Sequence, residues 1–314
     1  MGERFEWIKI ATSFSRSSKK VSTASTFQQW VEQATSSRRV QSLIYALARL
    51  ATYSHEPEEI SAKVVLTHLS LSLDGALYLD GGWQQLMNQL HQQALLYNTV
   101  VKTETTVTEV ELNQDQLWEI KTNNGDLFIT KYVIYTGPPQ QLATITKQRL
   151  TCPFPSIKTI QGASYEIALS KLPHEKDLFG LDLNSALYYS VHSTYAKLTP
   201  NNEVVLHLFR YFHSNQEDKV SVKAELELFL NKFQPRWENH VITSQFLPTI
   251  TVNQRLPQVG DDRLLLRQET KLRRFYLAGD WADPNFILAE GATNSGKKAA
   301  LAIIQTERGG KYVD

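Results

Sequence analysis

Apolar positions follow a helical period in the first part of this chain and an alternating, strand-like texture afterwards. Thr26-Phe27-Gln28-Gln29 has the form of a capping box, a hydroxyl followed three residues later by an amide, ahead of Trp30 and Val31. Val40, Leu43, Ile44, Leu47 and Leu50 share one helical face and predict a second helix from about residue 40. A third is expected after Pro57, a residue suited to a first helical turn, with Ile60, Val64, Val65 and Leu69 inward. These helices bring no chemistry of their own.

From Ala76 the texture changes. Residues 76–79 read as a short strand and Asp80-Gly81-Gly82 as a turn, and 83–96 as a helix with Leu86, Leu90, Ala94 and Leu95 on one side. Asn98 suits a helix stop, and Thr99-Val100-Val101 opens a β-branched run that continues past Val107 and Val110. Asn113-Gln114-Asp115 and Asn123-Asn124-Gly125 bracket a strand over 117–120, and a further strand is expected over 128–135, ended by Pro138 and Pro139. Strands over 164–169, 186–193 and 204–211, with a helix over 221–233 limited by Pro235, describe a separate antiparallel layer.

Composition narrows the class. The 314 residues are 42% hydrophobic, enough for one large or two medium domains. A formal charge of +1, from 33 bases and 32 acids, gives no overall field favouring nucleic acid or an anionic membrane. The single cysteine, Cys152, excludes an internal disulfide framework and suits a reducing, cytoplasmic setting. The opening residues mix charges without an apolar core, so no secretory signal is expected, Glu6 does not fit a myristoylation motif, and no apolar run approaches the roughly 18 residues of a transmembrane helix. Residues 308–314 read as a tail.

The chemistry concentrates near the C-terminus. Phe275-Tyr276-Leu277-Ala278-Gly279-Asp280-Trp281 reads as a buried strand ending in Gly-Asp. Glu290-Gly291-Ala292-Thr293-Asn294-Ser295-Gly296 and a helical run through Ile304 follow. Glycines there allow a bulky ligand to approach the backbone, and the helix N-terminus favours negative charge. An aspartate at a strand end can accept a hydrogen bond from a ligand hydroxyl. Strand ends facing a helix N-terminus are where open α/β sheets bind ligands.

Leu-Ala-Gly-Asp, followed about ten residues later by Glu-Gly-Ala and Ser-Gly, resembles the closing FAD motif of flavin amine oxidases and phytoene desaturases. Residues 80–86 are similar to that family's glycine-glycine element before a helix, Thr105-Thr106-Val107 to its adenine-side strand, and 133–139 to the strand and turn that return toward the dinucleotide. The strands between Tyr165 and Phe212 resemble the substrate domain of phytoene dehydrogenase-like proteins. The resemblance implies an α/β fold with an α+β substrate domain, an incomplete Rossmann-like FAD unit beside an antiparallel sheet and helices. Its implied boundaries are a helical part of the substrate domain over 1–70, FAD-domain strands and helix over 71–150, substrate sheet over 151–255, and the closing FAD element over 256–314. By the same resemblance Val107 touches adenine and Thr136 and Gly137 lie near the adenosine or pyrophosphate. Gly279 and Asp280 meet the ribityl or pyrophosphate part, while Glu290, Gly291 and Ala292 present the helix start to the isoalloxazine edge. The implied activity is FAD-dependent oxidation or desaturation of a small apolar or amine substrate by hydride transfer. The catalytic residues stay unassigned.

None of the 14 glycines falls into the G-x-G-x-x-G spacing with which that family opens. A truncated enzyme, one half of a split enzyme completed by a second chain, and a relic with another use are all open on this reading. Other chemistry is weaker. Residues 291–298 nearly spell a P-loop, but Lys298 stands where Ser or Thr must hold magnesium. There is no G-x-S-x-G, and the eight histidines show no paired metal spacing, so no metal is expected. Arg210, on a strand with Leu206, Leu208 and Tyr211, is the one cation nominated near a flavin, but an outward-facing strand residue is the preferred reading and it is given no catalytic role. Trp281, Tyr188, Tyr189 and Tyr195 are read as packing.

Overall fold

A computed structural model describes residues 2–154, 156–214, 221–265 and 269–309. The tail reading therefore falls mostly outside the described residues. Helices α1 (Gly2–Ala11), α2 (Phe14–Lys20), α3 (Phe27–Ala34), α4 (Arg38–Thr52) and α5 (Ala62–Ser72) open the chain. The capping box forms: Thr26 Oγ1 accepts the Gln29 amide at 3.3 Å, and Gln29 Oε1 accepts the Thr26 amide at 3.0 Å. Val40 and Ile44 of α4 and Val64, Val65 and Leu69 of α5 are buried in one apolar cluster with Phe27 and Val31. A fully buried side chain of this size contributes about 1.5–3 kcal/mol. The third helix starts later than expected. Pro57 lies in a turn closed by Ile60 N–H on Glu56 O at 2.9 Å, and that turn, not a helix, carries Ile60.

Helix α6 (Gly82–Leu96) follows, then strands β1 (Val107–Leu112), β2 (Trp118–Thr122) and β3 (Leu127–Thr130), an antiparallel meander in the order β1-β2-β3. Three expectations fail here. Residues 76–79 form no strand, and Leu77 is 96% exposed; the adjoining turn bonds elsewhere, through Gly81 N–H on Lys197 O and Lys197 N–H on Asp80 Oδ1. Residues 99–101 lie outside β1, because a β-branched run without a ladder partner has nothing to pair with. The run over 128–135 is two strands in different sheets. β3 pairs with β2, whereas β4 (Val133–Tyr135) lies parallel to a strand from the far end of the chain. The break falls at Lys131-Tyr132, where Thr130 Oγ1 donates to Tyr132 O at 3.1 Å. Helix α6 forms as expected, but none of its residues is buried, so its apolar side meets no core.

After the short α7 (Leu142–Ile145) come β5 (Ile160–Leu169), β6 (Phe179–Leu181), β7 (Leu187–Val191), β8 (Val204–Tyr211), α8 (Val222–Asn231) and β9 (Val241–Asn253). The five strands form one antiparallel sheet in the order β6-β7-β8-β5-β9. Val222, Leu226, Phe229 and Leu230 of α8 are buried against it. β9, the longest strand, was not anticipated. Pro248 sits in its middle, and a proline is tolerated there because β9 is an edge strand. The register with β5 shifts between Gly162 and Ser164, opposite that proline. Arg210 is another correction: it is buried, donating to Glu225 Oε2 of α8 at 3.0 Å and to Tyr211 O at 3.1 Å, because β8 is a central strand covered by a helix.

The chain ends with β10 (Phe275–Leu277), parallel to β4, and α9 (Leu288–Glu307). The P-loop-like residues 291–298 lie inside α9 and form no phosphate-cradling loop. Gly162 gives the sheet a direct test. A Cβ there would stand 2.6 Å from Arg210 O and against the Phe209 ring. Gly162→Ala should destabilise the protein by about 1–3 kcal/mol, read as a lower urea midpoint.

Candidate active site

The β10 strand is fully buried and runs directly into Gly279, whose φ of +132° favours glycine. Its C-terminal end is anchored to the end of β4. Ala278 N–H donates to Tyr135 O at 2.9 Å, and Trp281 Nε1 donates to Gly137 O at 3.0 Å, so the ends of β4 and β10 are locked together. Trp281 is wholly buried and serves packing, as expected of it. The Ser295 hydroxyl accepts the Gly279 amide at 2.9 Å and donates to Gly291 O at 2.7 Å, drawing α9 onto the strand end. Gly291 has no room for a side chain, since a Cβ would lie 2.8 Å from Phe286 O and 2.9 Å from Asp280 O.

Arg255 holds the connecting loop. It is 2% exposed, and its guanidinium donates to Trp281 O at 2.9 Å, Asp283 O at 2.8 Å and Asp261 Oδ2 at 2.9 Å while lying over the Phe154 ring. Asp283, with no exposure, accepts the amides of Asn285 and Phe286 on one oxygen, and Asn294 Nδ2 and Lys298 Nζ on the other. Leu288 then enters α9 with φ +57°, its amide bound to Asn253 Oδ1 at 2.8 Å. The Ile287 amide donates to His68 Nε2 at 3.1 Å. Burial keeps His68 below its ordinary value of 6.5, with Glu290 opposing, and a neutral ring is what an accepting nitrogen requires.

Five of the eight residues singled out in the sequence meet at this junction: Thr136 and Gly137 at the end of β4, Gly279 and Asp280 after β10, and Gly291 in α9. Glu290 and Ala292 flank Gly291 on the exposed side of the first turn, and Glu290 lines an open cleft of about 460 Å³ with Leu71, Phe286, Thr293, Asn294 and Lys297. Val107 stands apart, exposed at the first position of β1 opposite Thr122. Asp280 is half-buried; its Oδ2 accepts the Gln254 amide at 2.9 Å, and burial raises its carboxyl while that amide, the Trp281 amide and Arg255 oppose the rise. Sequence reading passed over Arg255, Asp283, Asn253 and His68, because a single polar residue carries no periodic signal.

Residues 10–168, half of the chain, match the family model of the flavin containing amine oxidoreductases. The chain belongs to that family. Solved structures share the fold: an oxidoreductase from Methanosarcina mazei at TM-score 0.71 and 14% identity, over 95% of this chain and 72% of that one. Cyclohexylamine oxidase from Brevibacterium oxydans matches at TM-score 0.67 and 13% identity, over 96% and 75%. An engineered putrescine oxidase matches at 0.70 and 13%, over 97% and 76%. No curated protein matches the chain by sequence. These structures agree with the α/β reading, and the family model agrees with a flavin cofactor. Among the described residues no helix is long and apolar enough to cross a membrane.

The junction fits part of such a cofactor. The Glu290 side of the first turn of α9 opens on the cleft, where the helix dipole favours an electron-rich group, and the bare Gly291 lets the helix close onto the strand end.

The buried imidazoles set a pH dependence. His55 and His192 are pushed down to about 4, chiefly by burial, then by neighbouring cations and histidines, and His68 is lowered by burial. The unfolded chain therefore binds more protons than the folded one as pH falls below 6.5. The raised carboxyls of Asp280 and Glu56 oppose this only nearer the carboxylate range. Stability should be highest at neutral pH and fall as pH drops from about 7.5 to about 5.5, seen as a decreasing urea midpoint.

Proposed function

We propose that this chain forms the substrate-binding and flavin-contacting part of an FAD-dependent oxidoreductase that oxidises or desaturates an apolar or amine substrate. The observation that carries this reading is the convergence of Thr136, Gly137, Gly279, Asp280 and Gly291 at one strand-to-helix junction beside the cleft, in a chain of a flavin family. Bound FAD supplies the two-electron acceptor for a hydride leaving a substrate C–H bond. The protein's part is to bind, orient and exclude water. Gly279 and Asp280 would face the ribityl or pyrophosphate part, Glu290, Gly291 and Ala292 the isoalloxazine edge, Thr136 and Gly137 the adenosine side, and Val107 the adenine.

An apolar substrate is in keeping with the aromatic rings packed between the five-stranded sheet, the end of α4 and the loops beside them. Tyr53 stands edge-on to Phe209 at 5.1 Å, Phe209 to Tyr211 at 5.0 Å, and Tyr78 stacks on Tyr195 at 4.9 Å. Burial raises the phenols of Tyr53, Tyr188 and Tyr211 still further above neutrality. Cyclohexylamine oxidase and putrescine oxidase, which share the fold, are named for amines.

A second reading is favoured by exposed apolar side chains and a two-stranded parallel sheet. Trp83, Met87 and Leu90 of α6 and Leu127 and Ile129 of β3 are exposed, and among the described residues only β4 and β10 pair in the small parallel sheet. Parallel strands are ordinarily buried in larger sheets. On this reading the dinucleotide half is completed by a further segment or a second chain bearing the glycine-rich turn, without which FAD is held weakly.

The test is retention of flavin by the full chain after FAD loading and gel filtration. Bands near about 375 and about 450 nm that co-elute with the protein, and that are lost in Gly291→Val, support the first reading. Equal retention by Gly291→Val would contradict the assigned junction. A colourless wild-type protein that binds flavin only when a glycine-rich partner segment is added would support the second.

A further inference from the structure

We infer that Glu56, Glu58 and His213 form a binding site for a divalent transition-metal ion, separate from the flavin junction. The three side chains come from segments far apart in sequence. Glu56 and Glu58 sit in the turn between α4 and α5, and His213 lies just beyond β8. One ligand atom from each can be chosen so that all lie within 4.8 Å of one another. His213 Nε2 is 2.7 Å from Glu58 Oε1 and 3.3 Å from Glu56 Oε2.

The arrangement holds more acceptors than donors. A single imidazole nitrogen offers at most one proton, and two carboxylate oxygens face it. Glu56 Oε2 is sealed from solvent and receives no hydrogen bond, although its side chain is only 9% exposed; the other oxygen accepts the Ser214 amide. A buried anionic oxygen left without a donor is costly. A cation among the three atoms removes that imbalance, with the imidazole bound as the neutral ligand through Nε2.

The donor set identifies the ion class. One imidazole nitrogen with two carboxylate oxygens suits zinc or manganese better than magnesium or calcium, which take oxygen alone. Ligand bonds of about 2.0–2.2 Å place neighbouring ligand atoms about 3–3.5 Å apart, so the 2.7 and 3.3 Å separations need little adjustment. Glu58 is partly exposed, which leaves an entry path and room for water to complete the coordination. The segments are already fixed. Glu56 O closes the turn by accepting the amides of Glu59 and Ile60, and Phe212 N–H donates to Gln161 O. A bound ion would tie the α4–α5 turn to the end of β8. The same turn supplies His55 and Pro57 to a cavity of about 240 Å³ with Phe27, Tyr45 and Arg49, so the ion would stiffen one wall of it.

The experiment uses the full chain, stripped with a chelator and titrated with Zn²⁺ by calorimetry, with bound metal counted after gel filtration. Wild type should retain one more ion per chain than Glu58→Gln and His213→Ala, and each variant should weaken binding at this site at least about tenfold. Glu58→Gln alters an accessible side chain, and an unchanged circular dichroism spectrum separates metal loss from misfolding. Co²⁺ in place of Zn²⁺ should give visible bands of a nitrogen and oxygen site that disappear in His213→Ala. No bound ion in the wild type, or variants that bind as the wild type does, would overturn the assignment.

Discussion

The burial of the Arg255 guanidinium is the constraint on which the C-terminal part of the structure depends. A full positive charge at 2% exposure is unfavourable by several kcal/mol unless its donors are met. They are met by the carbonyls of Trp281 and Asp283, by the Asp261 carboxylate and by the face of Phe154. The loop between β10 and α9 is thereby held at two of its carbonyls. Asp283 passes the constraint on to α9 through Asn294 and Lys298, and Ser295 closes the same helix onto Gly279. The strand end, the loop and the helix start form one rigid corner, and the cleft opens beside it.

Most of the elements were legible because their burial is periodic. The capping box at Thr26, the apolar stripe of α4, the three central strands of the larger sheet and α8 all place side chains against a core at regular intervals. The failures share a cause as well: pairing is not encoded locally. Residues 76–79 and 99–101 have strand composition without a partner, and 128–135 splits because its first half pairs with the neighbouring β2 and its second with β10, near the far end of the chain. β9 was hidden by Pro248, which only an edge position permits.

The candidate site was partly legible for a different reason. Gly279 and Gly291 announce themselves because close backbone approach demands glycine, and the structure gives both a steric reason. Arg255, Asp283 and His68 gave no such signal; their roles come from burial and from partners up to 219 residues away, as in the bond from Ile287 to His68. Glu56, Glu58 and His213 follow the same rule. Their sequence spacing suggests no metal, and only the fold brings them within reach of one ion.

The most direct test of this account is hydrogen exchange followed by mass spectrometry on the wild type and on Arg255→Met, a change that keeps apolar bulk and removes the buried charge. If Arg255 fixes the corner, protection should fall over residues 278–295 while the five-stranded sheet keeps its own, with a stability loss of about 3–5 kcal/mol. Unchanged protection over 278–295 would contradict the claim that this buried charge shapes the flavin junction.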